Sequence, residues 1–348
     1  PDLIIERLNN HALKNGMNNG LGEKILLRPE LDGALAVPQD VLGGYESQSR
    51  AFIQIQQGCD QACTFCIIHV ARGASTSFPI ETVLTQFEKI VEQGFKEVVI
   101  CGVDLGAYGG DLDEGQTLVS LLRAMLALDL DCRIRISSID PFHISDELIT
   151  LMGNSEQICS QVHLSMQSAN TLILKRMKRR AHRELIYDRV AKLREAMPDL
   201  VLSADVLVGF PTETEAHFAD TLSAIEDLGI AYPHVFPYSN REGTPAAKIP
   251  KQLDNAEKKR RAKLVRELGK QVWQKQAKAR IGSYQRVIIE GSDAPENLLE
   301  KVRVRCDDYF PVMLAGTEAV NLEKGQWSHV EITAIEGQSL VGKLALGA

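Results

Sequence analysis

The chain has 348 residues, 44% hydrophobic and 24% charged, a balance that supports one large or two smaller packed cores and excludes a disordered chain. No apolar run approaches the roughly 18 residues of a membrane-spanning helix, and no charged-then-apolar leader opens the sequence, so a soluble, cytoplasmic protein without a membrane partner is expected. The net charge of −7 would argue against a polyanion partner only if it were evenly spread, yet Lys175 to Arg194 holds nine Lys and Arg against two acids, and Lys248 to Arg280 twelve against three, a candidate electrostatic footprint for a polyanion.

Residues 1–48 are rich in Asn and Gly, hold no cysteine and yield no element beyond one short helix. They read as the remnant or linker of an N-terminal domain. From Ala51 onward, short β-branched runs alternate with helical patterns, the signature of parallel βα units. Strands are predicted at Phe52 to Gln56, Glu97 to Cys101, Arg133 to Ser137, Gln161 to Leu164, Val201 to Val208 and Ile230 to Phe236. The helices between them are Glu81 to Gln93, Thr117 to Leu128, Ser145 to Met152, Thr171 to Met177 with Arg183 to Met197, and Glu215 to Asp227. Ser145 reads as a helix cap and Gly94 as a helix stop. About six such units over residues 49–245 predict an α/β core. Residues 246–281 read as a linker and a long basic helix opened by Asp254. Residues 282–348 carry short runs separated by Gly, Asp, Asn and Pro, which predicts a small antiparallel β-barrel.

Of seven cysteines, Cys59, Cys63 and Cys66 fall within eight residues, while Cys101, Cys132, Cys159 and Cys306 are scattered. A disulfide framework is therefore not expected. The three clustered thiols directly follow the first strand, on the face where βα arrays assemble active sites. Three thiolates can hold a cubane cluster with its fourth iron left open, or, with His69, a Cys₃His zinc. A zinc knuckle usually substitutes for a missing core, and this array needs none.

The order Cys59, Cys63, Cys66, with Phe65 just before the last, resembles the radical S-adenosylmethionine (SAM) superfamily. Cys63 to Gly73 (CTFCIIHVARG), His163 to Arg180 (HLSMQSANTLILKRMKRR), Asp205 to Glu213 (DVLVGFPTE) and His234 to Ala247 (HVFPYSNREGTPAA) are similar to motifs of tRNA methylthiotransferases. The last is most similar to their threonylcarbamoyladenosine (MtaB-type) branch. The resemblance covers roughly Ala51 to Ala348.

It implies a partial (β/α)6 TIM-like radical SAM barrel followed by a small all-β TRAM-like RNA-binding barrel. The implied cofactors are one 4Fe-4S cluster on Cys59, Cys63 and Cys66, and SAM. The implied reaction places a methylthio group on carbon 2 of N6-threonylcarbamoyladenosine beside a tRNA anticodon, one SAM giving the methyl and a second the radical. The partners would be tRNA and a flavodoxin- or ferredoxin-type electron donor. Asp104 is implied to hold the SAM amino group, and Gly209 and Pro211 to pack against the adenine. Ser137 and Gln167, at strand ends on the same face, are candidates for the ribose or methionine part, although strand-end Asp, Ser and Gln also serve as ordinary turn residues. Candidate RNA contacts are Arg72, Lys178, Arg179, Arg180, Tyr238, Arg241, Lys259, Arg260, Arg261 and Tyr309. His69, His143 and His163 are expected to be structural.

The resemblance also implies an N-terminal domain with three more cysteines and a second 4Fe-4S cluster. Residues 1–57 contain no cysteine and the first residue is Pro1. The chain is thus expected to be a fragment, or a divergent enzyme, that binds SAM without completing methylthiolation. The alternatives are a radical SAM enzyme on another substrate and an RNA-binding protein with a structural metal.

Overall fold

The computed structural model describes residues 48–113, 115–291, 301–315 and 322–345; the expected N-terminal remnant lies outside them, apart from Gln48. In chain order the first strands are β1 (Ala51–Gln57), β2 (Thr76–Ser77), β3 (Glu97–Gly102), β4 (Arg133–Ile136), β5 (Ser138–Ile139), β6 (Gln161–Gln167), β7 (Val201–Val208) and β8 (Ile230–Pro237). Between them lie α1 (Ile68–Ala71), α2 (Ile80–Glu92), α3 (Leu118–Ala127), α4 (Asp146–Gly153), α5 (Thr171–Arg176), α6 (Arg183–Ala196) and α7 (Glu215–Asp227). Continuous β-branched runs mark strands covered on both faces, and in β7 every residue but Asp205 is buried. Ser145 caps α4 by accepting from the Leu148 N–H at 3.1 Å.

β1, β3 and β4 are parallel neighbours, and so are β5, β6, β7 and β8; β2 adds antiparallel to β1. The expected six βα units are present, but their strands form two sheets where the sequence reading has one run. The break falls at Ser137. Its N–H donates to Ile100 O on β3, while the next residue pairs with His163 on β6, so the chain changes partner within two residues. Among the described residues one isolated parallel bridge, Ile134 to Ile158, joins the halves.

The long helix α8 (Asn255–Ala279) is capped by Asp254, which accepts from the Glu257 N–H at 2.8 Å. It runs down the open side of β8, antiparallel to it. Gly269 meets Pro233, the Trp273 indole donates to the Tyr232 hydroxyl at 2.8 Å, and the Gln276 amide donates to Gly229 O at 2.8 Å. Strands β9 (Tyr284–Gly291), β10 (Lys301–Cys306), β11 (Pro311–Ala315), β12 (Trp327–Glu336) and β13 (Ser339–Leu344) close a barrel in the order β10-β11-β13-β12-β9. The expected antiparallel barrel is corrected at one seam, since β11 and β13 pair in parallel. Trp273 stacks on Phe310 of the barrel, with ring centroids 5.4 Å apart, so the barrel core is continuous with the α8 face. Among the described residues no helix is long and apolar enough to cross a membrane.

Candidate active site

The loop after β1 begins at Gly58, whose φ of +70° favours glycine; a Cβ there would sit 1.8 Å from Ala74 O. Cys59 N–H donates to Gly73 O at 3.1 Å, closing the loop on itself. Gln56 is fully buried, its amide donating to Gly58 O and to Ser75 Oγ, both at 2.9 Å, and its Oε1 accepting from the Asp104 N–H at 2.8 Å. This side chain ties the cysteine loop to the loop after β3. The sequence reading missed it, although a glutamine on an inward strand position is the signal.

Each of the three sulfurs accepts from one donor. Gln61 N–H points at Cys59 Sγ and Ile68 N–H at Cys66 Sγ, both at 3.4 Å, and the Arg179 guanidinium lies 3.7 Å from Cys63 Sγ. Burial pushes the Cys59 thiol up to about 11, and the Asp104 carboxylate 3.7 Å away adds to this against the Gln61 N–H. Burial also raises the Cys63 thiol, opposed by Arg179. These thiols therefore carry protons until a metal displaces them, and ligation releases those protons. Among the described residues no trio of His, Cys, Asp or Glu converges as a single metal ion requires. A cubane instead holds its thiolates apart on separate irons and is tuned by hydrogen bonds to the sulfurs. Three thiols, each with one hydrogen-bond donor at its sulfur, are a donor set that fits such a cluster.

The remaining expected cofactor residues lie at the carboxyl ends of successive strands. Asp104 Oδ1 is 3.9 Å from His143 Nε2, a nitrogen that is buried without a hydrogen-bond partner. Ser137 reaches the Cys101 thiol, which burial pushes up to about 11. Gln167 ends β6 with φ +64° and Gly209 follows β7 with φ +73°. The Gly209 N–H donates to Glu213 Oε2 at 2.6 Å, and a Cβ at Gly209 would meet Lys258 Cγ at 2.5 Å. Pro211 is buried beside it.

The structure corrects several of the expected RNA contacts. Arg179 turns inward, donating to Ser165 O and pairing with the buried Asp140 carboxylate, both at 2.6 Å. Tyr238 is 3% exposed, packed on Phe210 under the Lys258 ammonium. Arg261 is 4% exposed and pairs with Glu213 at 2.7 Å and Glu257 at 2.6 Å. Arg260 is exposed but held by Glu215 and Glu257, both at 2.7 Å. Tyr309 sits between the core and the barrel with the guanidiniums of Arg305, Arg135 and Arg50 over its ring, which leaves little face for a base. Arg72, Lys178, Arg180, Arg241 and Lys259 are exposed. The loops bearing the first four are stitched at Thr64, whose N–H donates to Met177 O at 3.0 Å and whose carbonyl accepts from the Ala246 N–H at 2.8 Å. The cations thus share the rim that carries the cysteines.

Comparison with known proteins agrees with this arrangement. The profile of the Radical SAM superfamily matches residues 53–225. The chain is 42% identical to the threonylcarbamoyladenosine tRNA methylthiotransferase MtaB of Rickettsia prowazekii over 82% of this chain and 68% of that protein. With MtaB of Bacillus subtilis the identity is 36%, over 79% of this chain and 61% of that protein. With the tRNA-2-methylthio-N6-dimethylallyladenosine synthase of Clostridium perfringens it is 31%, over 99% of this chain and 76% of that protein.

Proposed function

We propose, from the premise that the chain belongs to the tRNA methylthiotransferase family of radical SAM enzymes, that it serves methylthiolation of carbon 2 of N6-threonylcarbamoyladenosine beside a tRNA anticodon. The observation that carries this reading is the trio of thiols at the mouth of the βα array, each with a donor aimed at its sulfur. Relatives named for threonylcarbamoyladenosine are 36–42% identical, against 31–33% for those named for dimethylallyladenosine, which favours the first substrate.

Cys59, Cys63 and Cys66 would hold one 4Fe-4S cluster, and Asp104 with the strand ends at Ser137, Gln167 and Gly209 would hold SAM. Bound there, the two supply one-electron chemistry, needed because a ring C–H bond offers no acidic proton to a side-chain base. The chain's own residues do the rest. Gln61 and Ile68 N–H groups and Arg179 stabilise negative charge on the sulfurs, and Asp104 offers a carboxylate to an ammonium group. Arg72, Lys178, Arg180 and Arg241 meet the phosphates of the tRNA from the rim. An electron donor belongs to the same reading, and a second cluster does so only if a further cysteine-bearing domain exists.

Anaerobic reconstitution tests it. The chain should take up iron and sulfide in equal amounts and release 5′-deoxyadenosine from SAM, and Cys59→Ala, Cys63→Ala or Cys66→Ala should each abolish both. Zinc as the bound metal, or undiminished 5′-deoxyadenosine from the alanine variants, would sink the proposal.

A further inference from the structure

Below the strand ends, β6, β7 and β8 carry a group of titratable side chains that the reading above leaves unused. Side chains alternate across a strand. On β8, Pro233 packs against α8 at Gly269, so His234 and Phe236 face the inside of the half-barrel. On β6, Val162 lines a small apolar cavity with Leu193 of α6, so His163 faces inside as well. The register sets Asp205 of β7 opposite His234. His163 Nε2 donates to Asp205 Oδ1 at 3.1 Å, which fixes the tautomer and orientation of the ring. That ring meets His234 edge to face, with centroids 4.9 Å apart at 60°.

His163 and Asp205 are half-buried, whereas His234 is exposed. Among the described residues nothing hydrogen-bonds to the His234 ring nitrogens. The next inward residue of β8, Phe236, is 52% exposed. A braced imidazole with open nitrogens beside an open aromatic face is a built recognition site: the ring supplies stacking, and the imidazole supplies directional hydrogen bonds.

His163 precedes the end of β6 by four residues, about 13 Å along the strand. The reacting carbon of the base must lie at the strand ends, near the cysteines, so what reaches His234 is the far end of the base, its N6 substituent. A threonylcarbamoyl group offers carbonyl, hydroxyl and carboxylate oxygens; a dimethylallyl group offers none. We infer that His234, positioned by His163 and Asp205 and flanked by Phe236, recognises the threonylcarbamoyl group and selects it over an apolar substituent. This rests on the proposed function. An apolar group would displace water from the His234 nitrogens without replacing its hydrogen bonds, and sites discriminate by that means.

The test is a ratio of affinities for two anticodon stem-loops that differ only in carrying threonylcarbamoyladenosine or dimethylallyladenosine. Wild type should prefer the threonylcarbamoyl stem-loop, His234→Phe should lose about tenfold of that preference, and His234→Gln should keep most of it. Asp205→Asn should lose part of it, since Asp205 acts only by orienting His163. Unfolded protein lowers both affinities together and does not move the ratio. A wild-type ratio in His234→Phe, or no preference in wild type, overturns the inference. Nucleoside analysis of tRNA from cells lacking the intact gene separates the two readings. If methylthio nucleosides disappear there while the ratio test fails, only the recognition site is lost.

Discussion

One methyl group at Gly58 decides whether the cysteine loop can close. Its positive φ costs a non-glycine residue about 1–3 kcal/mol, and the new Cβ would overlap Ala74 O at 1.8 Å, a backbone atom that cannot rotate away. Gly58→Ala is therefore expected to lower the melting temperature and the iron bound per chain together, read by thermal unfolding and iron analysis after reconstitution; wild-type iron content would show that the loop tolerates another path. That the three cysteines follow directly on a strand was legible in the sequence, because their spacing is local and β1 ends at Gln57. Asp104, Ser137 and Gln167 were legible as strand-end residues for the same reason. The inward turn of Arg179 was not, because a run of basic residues reads as a surface that meets phosphates, and only the fold brings Asp140 and Cys63 to it. Tyr238 and Arg261 failed likewise, their partners lying on elements far away in the chain. The His163–Asp205 bond spans 42 residues, and no spacing rule points to it.

At the level of elements, the decisive contact is between the first residues of β3 and β4 and the turn that joins β10 to β11. Glu97, Arg133 and Arg135 are all at most 3% exposed. Arg133 pairs with Glu97 at 2.5 Å and with Asp307 of the barrel, and Arg135 donates to Asp307 O at 3.1 Å. The alternation Arg133, Ile134, Arg135, Ile136 reads as a strand with one wet face. It is dry because the barrel turn covers it, a long-range closure that periodicity cannot register. The parallel seam between β11 and β13 was hidden in the same way, whereas every long helix was foreseen to within a few residues. Burial raises the Glu97 carboxyl, but Arg135 and Arg133 outweigh it and hold it at about 2. Because the folded value lies below the unfolded one, this carboxylate contributes its full stability above pH 4.5, and the contribution fades as pH falls towards 2. Glu97→Gln leaves Arg135 without its carboxylate partner and Arg133 with Asp307 alone, and should cost about 3–5 kcal/mol at pH 7. Urea unfolding at pH 7 and pH 3 checks both statements: the variant should lose less stability than wild type between the two, and equal losses would show that Glu97 is not the acid-sensitive group.

Across the whole molecule, a net charge of −7 coexists with a cationic rim, and the question is which basic residues a polyanion meets. Part of the charge on α8 is compensated: Arg261 is buried against Glu213, and Arg260 is spanned by Glu215 and Glu257. Arg180 lies over the Phe142 ring at 5.3 Å and, like Lys178 and Arg241, is exposed on the loops that Thr64 joins to the cysteine loop. Removing a phosphate contact reduces the dependence of log affinity on log salt by about 0.7 to 0.9. Replacing Lys178, Arg180 and Arg241 together by alanine should thus reduce the slope for tRNA by about 2, with the melting temperature nearly unchanged, since none of the three is buried. Arg261→Ala should do the reverse, lowering the melting temperature through the unpaired Glu213 while the salt slope stays where it was. A salt titration of tRNA binding, run beside thermal unfolding for both variants, reads the two effects separately. An unchanged slope in the triple variant would move the RNA path off the rim and onto the exposed Lys259 side of α8.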